Sequence, residues 1–191
     1  MLDKLVRYFS SISPLSEAEA AAISNSAVVR AYPKGTVLLR EGQVSTDTYF
    51  VLTGLVRQYM LVDGVEKTTG FFCDDQWVIA LNGMDAPKPS AQFWVCEEDS
   101  TLVVGNDGAA QALFNDHPRL ESIARRVLER TFSDYQQAIA TYLLATPEGR
   151  YLHLLETRPD LIQRIPQYQL ASYIGVAPES LSRIRKRLSR R

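Results

Sequence analysis

Apolar and polar positions change period twice along the chain, and each change marks a boundary. The opening stretch reads as helix: Ser16 stands three residues before Glu19, the spacing of a capping box, and the run "EAEAAAI" favours propagation. From about Val28 short β-branched and aromatic runs take over: "TVLLRE", "TYFVLTG", "LVRQYMLV", "TTGFF", "QWVIAL", "AQFWVCEE" and "STLVV". They are cut at Gly35, Gly42, Gly54, Gly64, Gly70 and Gly83, and the Asp63-Gly64 pair is a hairpin signal. So many short strands at close intervals predict an antiparallel barrel, roll or sandwich, because parallel strands would need crossover helices between them.

After "NDGAAQALFNDHP" the period becomes helical, and Leu128, Phe132, Tyr135, Ile139 and Tyr142 recur at 4-3-4-3 spacing. A helix of roughly 25 residues has more apolar surface than one small sheet covers, so this stripe is expected to be the seam of a helix–helix homodimer. The helix yields at "TPEGR", where Pro147 and Gly149 mark a hinge. Beyond it, Leu170, Ala171 and Ile174 give one short helix an apolar face, Gly175 permits a tight turn, and Leu181, Ile184 and Leu188 give a second helix its own. The reading is α+β in three parts: residues 1–115, a helix and a strand-rich sensor domain; 116–145, the long helix; 146–191, a helix-turn-helix.

Charge sharpens the last assignment. The final nine residues hold six of the 21 basic side chains, which leaves fifteen against all 22 acidic ones upstream, a formal −7. If the apolar face of the second helix is buried, Glu179, Ser182, Arg183 and Lys186, at i, i+3, i+4 and i+7, face outward. A major groove admits such a helix: Arg donates twice to guanine, Glu accepts from a cytosine amino group, and Ser serves either. Glu179, Ser182 and Arg183 are therefore the expected base readers. Gln167, Ser180, Arg185, Lys186, Arg187, Arg190 and Arg191 are the expected phosphate contacts, which supply affinity without reading sequence. Pro178 at the first helical position loses only an N–H that would be unpaired anyway.

Composition removes other classes. With 46% hydrophobic and 23% charged residues the chain has the balance of a globular protein, and no 18 apolar residues follow one another, so a cytoplasmic protein without membrane contact is expected. Cys73 and Cys96 read as reduced, buried thiols; with His117 and His153 they are too few and scattered for a metal site. The strand region holds no histidine, which argues against a metal-dependent enzyme on a cupin-like roll. A small-ligand-binding or interaction module with a vestigial DNA-binding segment is the remaining alternative.

The stretch "YPKGTVLLREGQVSTDTYFVLTGLVRQYMLVDGVEKTTGFF" resembles the effector-binding roll of the Crp/Fnr family of bacterial transcription regulators, and "QLASYIGVAPESLSRIRKRL" resembles that family's DNA-binding helices. The resemblance implies a cyclic-nucleotide-binding-type β-roll, a dimerising helix and a C-terminal helix-turn-helix. Its partners would be double-stranded DNA, a second copy, RNA polymerase and a small-molecule effector of unknown identity. The chain departs from the nucleotide-binding members. Where they place a Gly-Glu pair for the ribose and an Arg before Ser or Thr for the phosphate, Val78, Ile79 and Ala80 offer no carboxylate and Ser90-Ala91 no guanidinium; Lys88 is the nearest cation. The expected pocket, framed by Trp77, Val78, Ile79, Leu81, Ser90, Ala91 and Gln92, should therefore take something other than cyclic AMP, and no bound cofactor is expected. Two distant cysteines cannot hold the oxygen-sensing branch's iron–sulfur cluster, and His117 reads as a helix-start or surface residue rather than a haem ligand. Ala177 replaces the usual Ser or Thr before Pro-Glu, forfeiting a cap worth about 1 kcal/mol. The chain stops three residues after Leu188, so a helix-turn-helix without a β-hairpin wing is expected.

Overall fold

The computed structural model describes residues 2–79 and 88–189. It divides into two compact units, one of Met1–Gln58 with Phe71–Phe132, the other of Tyr59–Gly70 with Ser133–Arg191.

The first unit opens with α1 (Asp3–Ile12) and α2 (Glu17–Ser26). The capping box forms as the spacing predicts: the Glu19 N–H donates to Ser16 Oγ at 3.2 Å, and the Ser16 N–H donates to the Glu19 carboxylate at 2.7 Å. That backbone donor, with Arg119 at 2.6 Å, holds the Glu19 carboxyl below its ordinary range. Arg119 also donates to Ser13 Oγ and the Pro14 carbonyl, tying the helical hairpin to the start of the long helix.

Among the described residues eight strands follow: β1 (Val28–Tyr32), β2 (Val37–Leu39), β3 (Asp47–Thr53), β4 (Val56–Val62), β5 (Val65–Phe72), β6 (Trp77–Val78), β7 (Phe93–Cys96) and β8 (Ser100–Asn106). They form two four-stranded sheets, ordered β1-β8-β3-β6 and β2-β7-β4-β5. This is the antiparallel roll; β1, "VVRAY", is the strand that the sequence did not single out.

Register settles which side chains face where. Phe50 lies opposite Trp77 and Val103, while Tyr49 lies opposite Val78 and Val104. Paired residues share a face. Phe50, Leu52 and Val103 pack with Leu5, Ile23, Leu120 and Ile123 beneath the helices, so that face of the sheet is the floor of a helical layer. Tyr49 turns the other way, and its ring meets Trp94 of the second sheet edge-on at 6.2 Å. Trp94, with no exposed surface, sits where the two sheets face each other.

After β8 come α3 (Asp107–Asp116), capped by the Asn106 side chain, and the long α4 (Pro118–Leu144). No helix among the described residues is long and apolar enough to cross a membrane.

The second unit holds the tip of the β4–β5 hairpin, the last turns of α4, and α5 (Pro147–Thr157), α6 (Pro159–Arg164), α7 (Gln167–Tyr173) and α8 (Pro178–Leu188). At the hairpin tip Asp63 has φ 53° and Gly64 φ 75°, the pair of positive values that a two-residue turn needs to match strand twist. "TPEGR" does more than end α4. Thr146 Oγ1 accepts the Gly149 N–H at 3.1 Å and Pro147 takes the first turn, so these residues cap the start of α5. Tyr151, Leu154, Leu161, Ile165, Leu170, Ala171, Ile174, Leu181 and Ile184 are buried apolar side chains of this helical unit.

Candidate functional site

The turn between α7 and α8 is set by backbone bonds. The Ile174 N–H returns to Leu170 O at 3.0 Å and the Val176 N–H to Ala171 O at 2.9 Å, while Gly175 adopts φ 73°. α8 then starts at Pro178 with Ala177 as its cap and no side-chain hydrogen bond there, as its sequence predicts. Leu181 and Ile184 are buried, and Glu179, Ser182, Arg183 and Lys186 are all exposed on the other side. The chemistry required to read base edges is thus assembled on one open helical face.

The expected phosphate contacts are placed less uniformly. Gln167 is exposed at the start of α7, and Lys186 is exposed on α8; Ser180 and Arg185 are half-buried. Arg183 donates to Ser180 Oγ at 3.2 Å. Arg187 is ion-paired with Glu148 of α5, so its guanidinium must leave a carboxylate before it meets a phosphate. Arg190 and Arg191 lie outside the described residues.

Sequence reasoning missed what holds the turn. The Tyr142 hydroxyl lies against Gly175, where a Cβ would collide with it and come within 3.2 Å of Cζ. Arg150 stacks over the Tyr142 ring with its guanidinium carbon 4.2 Å from the centroid, and donates to the Tyr142 carbonyl at 2.7 Å. Gly175→Ala therefore adds both a left-handed β-carbon and a clash, together about 2–4 kcal/mol, and should lower the melting temperature by several degrees. Tyr142→Phe in that background should recover part of the loss. A Gly175→Ala protein that melts with the wild type would show that the turn relaxes freely.

The residues of the expected seam differ in exposure. Tyr142 leans on the turn, and Tyr135 is half-buried within electrostatic reach of Tyr173, its hydroxyl pushed up to about 12 by burial. Phe132 and Ile139 remain 51% and 59% exposed, and Leu143, absent from the expected stripe, is 74% exposed. Leu128 is half-buried. Tyr142 is itself 42% exposed and Leu144, the last residue of α4, 87%, so Phe132, Ile139, Tyr142, Leu143 and Leu144 are exposed on α4 while Leu128 and Tyr135 are half-buried.

The expected effector residues also divide. Val78 is fully buried and shares a face with Tyr49 between the sheets. Trp77, one residue earlier, packs with the helical layer, where its ring lies 5.1 Å from Phe50 and 6.1 Å from Phe9. Ile79 is half-buried, Ala91 and Lys88 are exposed, and Leu81 lies outside the described residues. Ser90 is buried and its hydroxyl exchanges hydrogen bonds with the Gln92 main chain, accepting at 3.0 Å and donating at 3.2 Å. The Gln92 side-chain Oε1 accepts from Gln58 Nε2 at 2.6 Å, so a partly buried amide pair stands beside Ser90. Gln58 was not foreseen from sequence. Arg57, the one buried cation among the described residues, is 3.5 Å from Glu97. Cys73 and Cys96 are buried thiols not joined in a disulfide, and burial pushes the Cys96 thiol up to about 11. A cavity of about 340 Å³ near β2 and β3, bordered by Leu39, Gln43, Ser45, Asp47 and Tyr49, shares none of the expected pocket residues.

Residues 29–122 match the cyclic nucleotide-binding domain family. The transcriptional activator protein Anr of Pseudomonas protegens is 24% identical over 167 residues, which span 81% of this chain and 68% of that protein. The c-di-GMP-responsive global regulator CLP of Xanthomonas campestris superposes with a TM-score of 0.69 at 20% identity, over 91% of this chain and 92% of the other. The catabolite activator protein of Thermus thermophilus does so with a TM-score of 0.57 at 20% identity, over 94% and 86%. Fold and helix pair together define a β-roll protein with a C-terminal helix-turn-helix. The chain is similar in sequence and fold to transcription regulators of the Crp/Fnr family.

Proposed function

We propose that this protein is a dimeric, sequence-specific DNA-binding transcription regulator whose roll senses an effector other than cyclic AMP. The observation that carries the reading is the α8 face itself: Glu179, Ser182, Arg183 and Lys186 stand open to solvent on a helix whose other side is buried. As a regulator its partners are double-stranded DNA, its own second copy and RNA polymerase. Binding to random duplex that weakens steeply with salt tests this reading, because cationic phosphate contacts release counterions. A ligand-binding or interaction module with a vestigial helix pair would show no such binding.

The effector chemistry follows from what lines the roll. Val78 and Ile79 supply no carboxylate for a ribose, Ser90 and Ala91 no guanidinium for a phosphate, and buried Arg57 is already beside Glu97. A buried phosphate needs a cation, whereas Gln58, Gln92 and Ser90 offer neutral donors and acceptors. Calorimetry should give a dissociation constant for cyclic AMP no tighter than roughly millimolar, the value of about −4 kcal/mol left to an unpaired anion. Micromolar binding would overturn this, and would require Lys88 or the partner subunit to supply the charge.

A further inference from the structure

The hairpin edge and the first helix of the DNA-binding pair meet through one hydroxyl. β5 is the last strand in the order β2-β7-β4-β5. Counting from the two-residue turn at Asp63 and Gly64, Val65 and Lys67 direct their main-chain groups to β4, and Glu66 and Thr68 direct theirs outward. Ser172 of α7 takes both. The Thr68 N–H donates to Ser172 Oγ at 2.9 Å, and Ser172 Oγ donates to the Glu66 carbonyl at 3.2 Å. A hydroxyl is suited to this bridge because it is donor and acceptor at once. Thr68 is buried, whereas Glu66, Lys67 and Thr69 around it are exposed.

The contact covers none of the reading face: Gln167, Glu179, Ser182, Arg183 and Lys186 all stay exposed with it in place. It can therefore orient α7 and α8 without masking them. Ser172 lies three residues before Gly175, so fixing it fixes the helix from which the turn and α8 depart.

Resting on the DNA-binding reading above, we propose that Ser172 is a positioning residue for sequence recognition: by bridging Glu66 and Thr68 it pins α7 to the β5 edge and holds α8 in its base-reading attitude.

The test uses the full chain, the duplex best enriched from a randomised pool, and a random duplex. Ser172→Ala should lose about 3- to 10-fold in affinity for the enriched duplex, the worth of one or two hydrogen bonds. Its affinity for random duplex and its salt slope should be unchanged, and Ser172→Thr, which keeps the hydroxyl, should restore recognition. Hydrogen exchange at the Thr68 amide should quicken in the Ala variant alone. Wild-type discrimination by Ser172→Ala would overturn the proposal. So would equal losses on both duplexes with a lowered melting temperature, which assign Ser172 to stability only. Failure of the wild type to bind random duplex even at low salt would remove the DNA reading itself, a result distinct from either.

Discussion

On the dimeric reading proposed above, Ile139→Glu is expected to give a folded monomer. Phe132, Ile139 and Leu143 expose large apolar surfaces along one side of α4, at 51%, 59% and 74%. A two-fold axis beside that face would set Ile139 of one copy near Ile139 of the other, because the contact is isologous. Two carboxylates would then meet in apolar surroundings, a cost of several kcal/mol that association cannot recover. Since one helix-turn-helix reads few base pairs, losing the second should weaken binding to a palindromic duplex by about 100-fold or more. Sedimentation reads the first effect and titration of the duplex the second. Tyr135→Phe, at a half-buried position, should leave the dimer intact. A folded Ile139→Glu dimer would place the interface elsewhere.

What was legible in the sequence was local. Ser16 and Glu19 are three residues apart, Asp63 and Gly64 adjacent, and Gly175 and Pro178 lie within one turn, so each forms with partners its own segment supplies. The exposed face of α8 followed from helical period alone, because a fixed apolar side fixes the opposite one. What stayed hidden depends on distant partners. β6 is only Trp77 and Val78, both apolar, and two residues carry no alternation that says which faces the helices; register with Phe50 and Tyr49 decides it. Tyr142 belongs to the same stripe as Ile139, and only the position of Gly175, 33 residues later, draws it to the turn. The Arg187–Glu148 pair and the Ser172 bridge span 39 and more than 100 residues and leave no pattern in sequence.

Arg183→Ala is expected to relax recognition at one base pair rather than weaken binding uniformly. Arg183 is exposed in the middle of the α8 face, with Glu179 one turn before it and Ser182 beside it, and its bond to Ser180 Oγ is an exposed contact that a base edge can replace. The E-x-x-S-R pattern is similar to the Fnr branch of the family, which implies half-sites containing TGA, with Arg183 on the guanine and Glu179 accepting from a cytosine on the paired strand. A bidentate Arg–guanine pair is worth about 1–3 kcal/mol of discrimination, and its removal should leave the salt slope nearly unaltered. Arg185→Ala, at an expected phosphate contact, should lower affinity for all duplexes alike and make the slope shallower by roughly one unit. Arg187→Ala should have a smaller effect than Arg185→Ala, because Arg187 gives up its pair with Glu148 on reaching a phosphate. Selection on randomised duplexes separates the roles. If Arg183→Ala keeps the wild-type base preference and merely binds every sequence less tightly, Arg183 is a phosphate contact and the reading of α8 must be rebuilt around Glu179 and Ser182.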